Sequence, residues 1–364
     1  DHVAIGTFED RPLDNPYSGN VVDICPVGAL TSRDFRFKVR VWFLHSTDSI
    51  CAGCSTGCNV RIDHRDGTVF RLIPRRNVDV NRSWLCDEGR LTFHRVNHGD
   101  RMTVPMAKGR DGLQAPVAWD EAARSVDSTL KRITADNGAG ATIGFASPSM
   151  TNEALYLMKR YLSGHGVSGF EFRIDGEDRK VAAMQDEILR RVDKHPNSMG
   201  AIKLGFVSNG LGSIDGAIQA AKSGRIKAAL VAFVDPLVER ETDGDAEAKI
   251  AELVSRLEYS VVLTTRKAEW HKNANVVLPI AAWSEEEGTY TNYQGRVQMA
   301  GRAVDAPGDA LPAWEVFAML IHSGGSDAPW MSADQVFQEV SSEVSAFRGM
   351  TLEQTKLPGV LVSE

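Results

Sequence analysis

Cysteine is scarce in this chain, with five among 364 residues. The number is odd, and the opening residues, "DHVAIGTFED", lack the basic-then-apolar pattern of an export signal. A disulfide framework is therefore not expected, and a reducing compartment is. Long apolar runs are missing as well; none approaches the roughly 20 residues needed to span a bilayer. Nor is there a surplus of positive charge, since the formal net charge is −7, which argues against a general nucleic-acid binder. No Met begins the sequence, so the numbering is expected to start inside a longer polypeptide. What is present is an ordinary globular composition, 43% hydrophobic, and enough length for two or more domains.

The few cysteines are not scattered. Cys51, Cys54 and Cys58 fall within "DSICAGCSTGCNV" and Cys86 within "SWLCDEGR", giving C-x2-C-x3-C-x27-C. Close spacing on a turn-rich loop lets three thiolates converge on one centre, and Gly53 and Gly57 suit the unusual backbone angles of such a loop. Zinc and iron–sulfur clusters both accept four cysteines. Zinc ribbons pair two similar knuckles, whereas a triad with a remote fourth Cys is the style of a [4Fe–4S] ligand set; zinc and unligated thiols stay open on spacing alone. Between the ligands, "NVRIDHRDGTVFRLIP" alternates around Asp66-Gly67, which reads as a β-hairpin with a tight turn.

Residues 31–101 hold 13 Lys and Arg against 8 Asp and Glu. Arg61, Arg65, Arg71, Arg75, Arg76, Arg82 and Arg90 either favour an extra electron on a cluster or form a solvated, partner-facing surface. Cys25, in "DICPVGAL", has the Cys-Pro form that ends a ferredoxin-type ligand run, or is a lone structural thiol. His94 and His98 read as ordinary histidines rather than ligands.

From Trp119 onward helices and strands alternate. "WDEAARSVDSTLKRITAD", "SMTNEALYLMKRYLSG", "SIDGAIQAAKSG" and "DAEAKIAELVSRL" read as helices. "ATIGFAS", "IKLGFVSNG", "RIKAALVAFVDP", "EYSVVLTT" and "ANVVLPI" read as strands. The fold class is therefore α/β with a doubly wound parallel sheet. "SNGLGSIDG" is too irregular for a dinucleotide fingerprint, "RRVDKHPNSMG" reads as a plain loop, and the tail past residue 324 as a Gly/Pro linker with one amphipathic helix.

"LDNPYSGNVVDICPVGALTSRDFRFKVRVWFL", "SICAGCSTGCN" and "LCDEGRLTFHRVNHGDRM" resemble the large iron–sulfur subunit of respiratory complex I, NADH:quinone oxidoreductase, the G-type chain of bacteria. "KSGRIKAALVAFVDP", "ANVVLPIAAWSEEEGTYTNYQGRVQ" and "WEVFAML" are similar to the molybdopterin-oxidoreductase family. The resemblance implies an electron-transfer subunit of the peripheral arm. Residues 1–40 would be the end of a ferredoxin-like domain, 41–101 a small β-rich [4Fe–4S] module, 102–323 a degenerate molybdopterin-oxidoreductase-like domain, and 324–364 a linker and helix. Cys51, Cys54, Cys58 and Cys86 would hold one [4Fe–4S] cluster off the main electron path. Cys25 would complete a second, whose other cysteines precede residue 1.

The same resemblance implies as partners the flavin- and NADH-binding subunit and the ferredoxin-like and quinone-site subunits. It implies no nucleic acid, and contact with a membrane only through the assembly. The location would be the cytoplasmic face of the inner membrane or the mitochondrial matrix side. Gly288, Asn292, Gly295 and Arg296 fall where relatives approach a cofactor, with fold maintenance expected here. Catalytic relatives hold molybdenum through two pterin dithiolenes plus Cys, selenocysteine or Ser, and place a Lys two residues past the last cluster Cys. Here that position is Glu88, no Cys follows Cys86, and the chain after Trp119 is short. No molybdenum cofactor and no independent active site are expected. The alternative is a catalytic, formate dehydrogenase-like subunit.

Overall fold

The computed structural model describes residues 6–8, 11–167, 170–172, 185–206, 214–233 and 243–363. Near the N-terminus, β1 (His45–Ile50), β2 (Asn59–Arg65) and β3 (Thr68–Pro74) form an antiparallel meander. The β2–β3 turn is Asp66-Gly67, with φ of 49° and 74°, the left-handed pair that a type I′ hairpin requires. Arg65 lies opposite Thr68 and Val60 opposite Pro74. Val60, Ile62, Val69 and Leu72 point to one side and join Leu85 and Phe93 in a small core. Three short helices flank it: α1 (Asn20–Ile24), α2 (Asp87–Arg90) and α3 (Phe93–Val96). The first leans on the second. Asn20 Nδ2 donates to the Leu85 carbonyl at 2.8 Å, Gly19 N donates to Asp87 Oδ1 at 2.9 Å, and Arg90 pairs with Asp23 at 2.6 Å.

The larger sheet contains β4 (Met106–Lys108), β5 (Gln114–Pro116), β6 (Thr142–Ala146), β7 (Phe170–Phe172), β8 (Ala228–Phe233), β9 (Tyr259–Thr264) and β10 (Val276–Pro279). Its spatial order is β5-β4-β10-β9-β8-β6-β7. The last five are parallel to one another, and the β4–β5 hairpin adds antiparallel to β10. In chain order the parallel strands lie 2-1-3-4-5, so the direction of winding reverses between β6 and β8. Strand ends diverge at such a reversal and leave the crevice where open α/β sheets bind ligands.

Seven helices accompany this sheet among the described residues: α4 (Trp119–Asn137), α5 (Asn152–Gly164), α6 (Ser198–Lys203), α7 (Ile214–Lys222), α8 (Asp243–Arg256), α9 (Ala313–Ser323) and α10 (Ala333–Glu343). Strand side chains alternate between two apolar layers. Leu230, Val261, Leu263 and Leu278 pack with Leu130 of α4, Leu155 of α5 and Phe317 of α9. Ala229, Val231, Val262 and Val277 pack with Ala220 of α7 and Val254 of α8. Burial on both faces explains why these strands read as continuous apolar runs.

Periodicity locates most of these elements. "IKLGFVSNG" is an exception: Ile202 and Lys203 close α6 instead of opening a strand, because a short apolar run does not distinguish the two. Residues 207–210 of that stretch, and the core of "SNGLGSIDG", lie outside the described residues. Strand β7 and the β4–β5 hairpin are additions, each with strands too short to show a period. The tail carries more than one helix. After α10 come α11 (Leu352–Thr355) and β13 (Val360–Leu361), which pairs with β12 (Arg296–Ala300) of the hairpin begun by β11 (Gly288–Thr291). Phe337 and Phe347 are fully buried in the main core, so the tail completes the body.

A buried acid ties that hairpin to α5. Thr151 caps α5, accepting from Ala154 N at 3.2 Å. Glu153, in the first turn, accepts from Thr289 N at 2.9 Å and from Thr289 Oγ1 at 2.8 Å. At Gly288 a Cβ would fall 2.6 Å from Thr151 Cγ2, so only glycine permits this approach. Nearby Glu286 is buried, with Oε2 unpaired. Burial first, then the charges of Glu153 and Glu285, push Glu286 up to about 8 from 4.5. Between those values the folded chain holds a proton that the unfolded chain has lost. Stability from this group therefore falls as pH rises, by up to about 1.4 kcal/mol per pH unit, and levels off above the folded value. Glu286→Gln stays neutral throughout. Thermal melting of parent and variant should show the gap widening in favour of Gln from about pH 5 to about pH 8.

Candidate metal centre

Residues 51–58 connect β1 to β2. Cys51 N donates to the Cys58 carbonyl at 2.7 Å and Gly57 N to the Cys54 carbonyl at 3.2 Å, so the loop closes on itself. Gly57 has φ of +60°, as the sequence leads one to expect. Gly53 serves differently. Its φ is not left-handed, but a Cβ there would stand 3.2 Å from Thr92 Cγ2 and 3.4 Å from Cys51 Sγ. Close neighbours, not a backbone angle, distinguish that position. Cys86 caps α2, its sulfur accepting from Gly89 N at 3.3 Å. Gly89 is also a contact residue, since a Cβ would lie 2.8 Å from Cys51 Sγ and 3.3 Å from Cys86 Sγ.

Cys51, Cys54, Cys58 and Cys86 are all buried. Burial, then the sulfurs of Cys86 and Cys54, push the Cys51 thiol well up. Burial, then Cys51, Cys54 and Cys86, do the same to Cys58. Burial, then Cys54, raise Cys86 to about 12. Each of the four sulfurs is thus within electrostatic reach of the others. At neutral pH the thiols of Cys51, Cys58 and Cys86 ionise only when cationic charge enters among them, which a metal centre supplies. Gly53 N, 3.4 Å from Cys51 Sγ, and Gly89 N donate to sulfur as they would to bound thiolates. The donor set and its glycine-lined cradle therefore fit a four-cysteine cluster. Among the described residues, no three or more His, Cys, Asp or Glu side chains are arranged to hold a single metal ion.

Two further elements hold the loop from outside, and sequence reading assigned neither of them to the site. The first is residues 185–197, which include most of the supposed plain loop; its last residues, 198–200, open α6. Thr56 Oγ1 donates to the Leu189 carbonyl at 2.5 Å, Cys54 Sγ lies 4.0 Å from the same oxygen, and Ser55 N donates to the Asp193 carbonyl at 2.9 Å. Asp186 anchors the segment, accepting from Tyr17 Oη at 2.8 Å and from the backbone N of Ile188, Leu189 and Arg190. Lys194 Nζ reaches Glu88 Oε2 at 2.7 Å, with Arg190 Nε at 3.6 Å. Glu88, at the position where catalytic relatives place a Lys, is therefore paired with cations from a distant segment. A charged pair between residues 106 positions apart leaves no local signal in the sequence.

The second element is the β11–β12 hairpin. Asn292 Nδ2 donates to the Thr56 carbonyl at 3.2 Å, Gln298 Nε2 to the Gly57 carbonyl at 3.0 Å, and Tyr293 N to the Ser55 carbonyl at 2.8 Å. Gly295, at φ of +79°, makes the turn, and Arg296 pairs with Asp79 at 3.2 Å. Together with Gly288 these residues make structural contacts.

Cys25 is placed apart, half-buried at the C-cap of α1. Leu30 N approaches its sulfur at 3.5 Å, and the backbone N–H of Leu30, then those of Val27, Ala29 and Gly28, lower its thiol below the usual range. His94 pairs with Asp34 at 2.6 Å and His98 with Asp100 at 2.7 Å, both exposed. Arg65, Arg71, Arg75 and Arg90 are engaged with Asp66, Asp63, Asp48 and Asp23.

The model of the molybdopterin oxidoreductase family matches residues 101–197 and 192–323, over half of the chain. The chain belongs to the molybdopterin oxidoreductase family. Residues 44–94 match the NADH-ubiquinone oxidoreductase NDSU1/NuoG-like 4Fe-4S domain, and residues 1–31 the ferredoxin-like domain of NADH-quinone oxidoreductase subunit 3. The G-type subunit of NADH-quinone oxidoreductase from Streptomyces coelicolor is 43% identical over 118 residues, 32% of this chain and 14% of that protein. The mitochondrial NADH dehydrogenase [ubiquinone] iron-sulfur protein 1 of Solanum tuberosum is 26% identical over 93% of this chain and 59% of its own length. The alpha subunit of NADPH-Fe(3+) oxidoreductase from Geobacter sulfurreducens is 35% identical over 52% of this chain and 21% of its own length. The chain thus spans less than two thirds of each of these relatives. Acetylene hydratase from Pelobacter acetylenicus shares the fold, with a TM-score of 0.60 at 11% identity over 87% of this chain and 74% of that one.

Gly89→Ala places a methyl group against two of the sulfurs. Iron retention, measured as iron per folded chain after gel filtration, should fall about tenfold or more, the scale of supporting-residue defects at metal sites. In the metal-free chain at about pH 7, iodoacetamide should label Cys25 before Cys51 and Cys58, since the thiolate is the reactive form. Peptide mass spectrometry reads the order, and faster labelling of Cys51 or Cys58 would contradict the assigned environments.

Proposed function

We propose that the chain is the electron-transfer part of the large iron–sulfur subunit of an NADH:quinone oxidoreductase peripheral arm. The observation that carries this reading is the gathering of Cys51, Cys54, Cys58 and Cys86 in one buried cradle, within residues 44–94 that match a NuoG-like 4Fe-4S domain. These four cysteines hold a [4Fe–4S] cluster, and Cys25 serves as the fourth ligand of a second, with cysteines upstream of residue 1. When bound, such a cluster supplies one-electron redox chemistry. The chain's own part is to bury the sulfurs, point Gly53 N and Gly89 N at them, and keep water out with residues 185–197 and the β11–β12 hairpin. As the resemblance implies, the Cys51 cluster lies off the main electron path.

In this reading the α/β sheet is a doubly wound scaffold without molybdenum, supported by the absence of any Cys beyond Cys86. The divisions 1–40, 41–101, 102–323 and 324–364 follow from it. The partners are the flavin- and NADH-binding, ferredoxin-like and quinone-site subunits. Membrane contact comes only through that assembly, on the cytoplasmic or matrix face; among the described residues no helix is long and apolar enough to cross a membrane.

The test is metal analysis and electron paramagnetic resonance of anaerobically purified chain after dithionite. About four irons at the Cys51 site with a reduced-cluster signal is the expected result. One zinc and no signal would overturn the cluster. Stoichiometric molybdenum or tungsten with pterin would establish the formate dehydrogenase-like alternative instead.

A further inference from the structure

Lys194 is the most completely buried cationic side chain at this site, at 1% exposure, and its Nζ lies 2.7 Å from Glu88 Oε2. Glu88 follows Cys86 by two residues and is itself only 13% exposed. Its second oxygen, Oε1, is buried without a hydrogen-bond partner. Taking a lysine and a glutamate this far from water is expensive, and an apolar pair of similar volume is often as stable or more so. The segment does not depend on the pair for attachment, because Asp186, Leu189 and Asp193 already fasten it to Tyr17, Thr56 and Ser55. The charges act on the adjacent sulfur. Glu88 stands in the first turn of α2, the helix that the Cys86 sulfur caps, and Lys194 meets it there, so both charges sit beside the metal-facing atom. In a dry site such fields are weakly screened.

We propose that Lys194 is a positioning cation that sets the reduction potential of the cluster held at Cys86, with Glu88 opposing it. The proposal rests on the reading that the four cysteines hold a [4Fe–4S] cluster. A cation beside the cluster favours the added electron and an anion disfavours it. The two residues come from separate elements, so the balance exists only when residues 185–197 lie over α2.

The experiment is an EPR-monitored redox titration of the full chain and its Lys194→Met, Lys194→Arg and Glu88→Gln variants, with iron measured for each. Lys194→Met should make reduction about tenfold or more less favourable, a shift of about 59 mV to more negative potential for one electron. Lys194→Arg should keep the parent potential, and Glu88→Gln should shift it to more positive values. Unchanged potentials in both Lys194→Met and Glu88→Gln, at full iron content, overturn the proposal. If Lys194→Met does not retain iron, Glu88→Gln decides alone, and an unchanged potential there overturns it. Absence of iron from the parent itself overturns the cluster assignment, a distinct result.

Discussion

Four sulfurs buried within reach of one another cannot all ionise unless positive charge is placed among them. That electrostatic constraint organises the N-terminal third of the molecule. Burial and mutual repulsion drive the thiols of Cys51, Cys58 and Cys86 upward, and the surrounding backbone answers with N–H donors at Gly53 and Gly89. The glycines leave no methyl group where the sulfurs must approach. The β1–β2 loop then needs its outward carbonyls satisfied, because a buried unpaired acceptor is expensive. Asn292 and Gln298 meet the carbonyls of Thr56 and Gly57.

These supporting residues come from far along the chain, which links the small β module to the large α/β body. The β11–β12 hairpin touches the cysteine loop on one side, and α5 holds the hairpin through Glu153 on the other. Residues 185–197 bridge the same loop to the strand ends near the sheet's reversal point, where Asn197 donates to the Met150 carbonyl and accepts from Thr291 N. The sheet belongs to the part of the chain that the molybdopterin oxidoreductase family model matches.

Much of the architecture was legible because it is periodic or local. Long amphipathic helices such as α4 and α5, the apolar strands β8 to β10 and the Asp66-Gly67 turn all announce themselves within a few residues. Elements below one period did not: β7, β13 and the short helix α6, whose Ile202 and Lys203 looked strand-like. Gly53 and Gly57 look alike in the sequence, yet Gly57 takes a left-handed backbone angle and Gly53 instead packs closely against the Thr92 methyl group.

The sequence by itself determined the candidate ligands, their grouping as a triad with one distant member, the separation of Cys25, and the alternation that makes an α/β sheet. Ligand spacing and hydrophobic period are properties of neighbouring residues and survive without a fold. Only the tertiary structure decided what surrounds the sulfurs: the cover at residues 185–197, the amide clamps of Asn292 and Gln298, and the Lys194 charge that meets Glu88. Those depend on which distant segments are brought within a few ångströms, and hydrogen bonds and ion pairs across such gaps have no trace in local order.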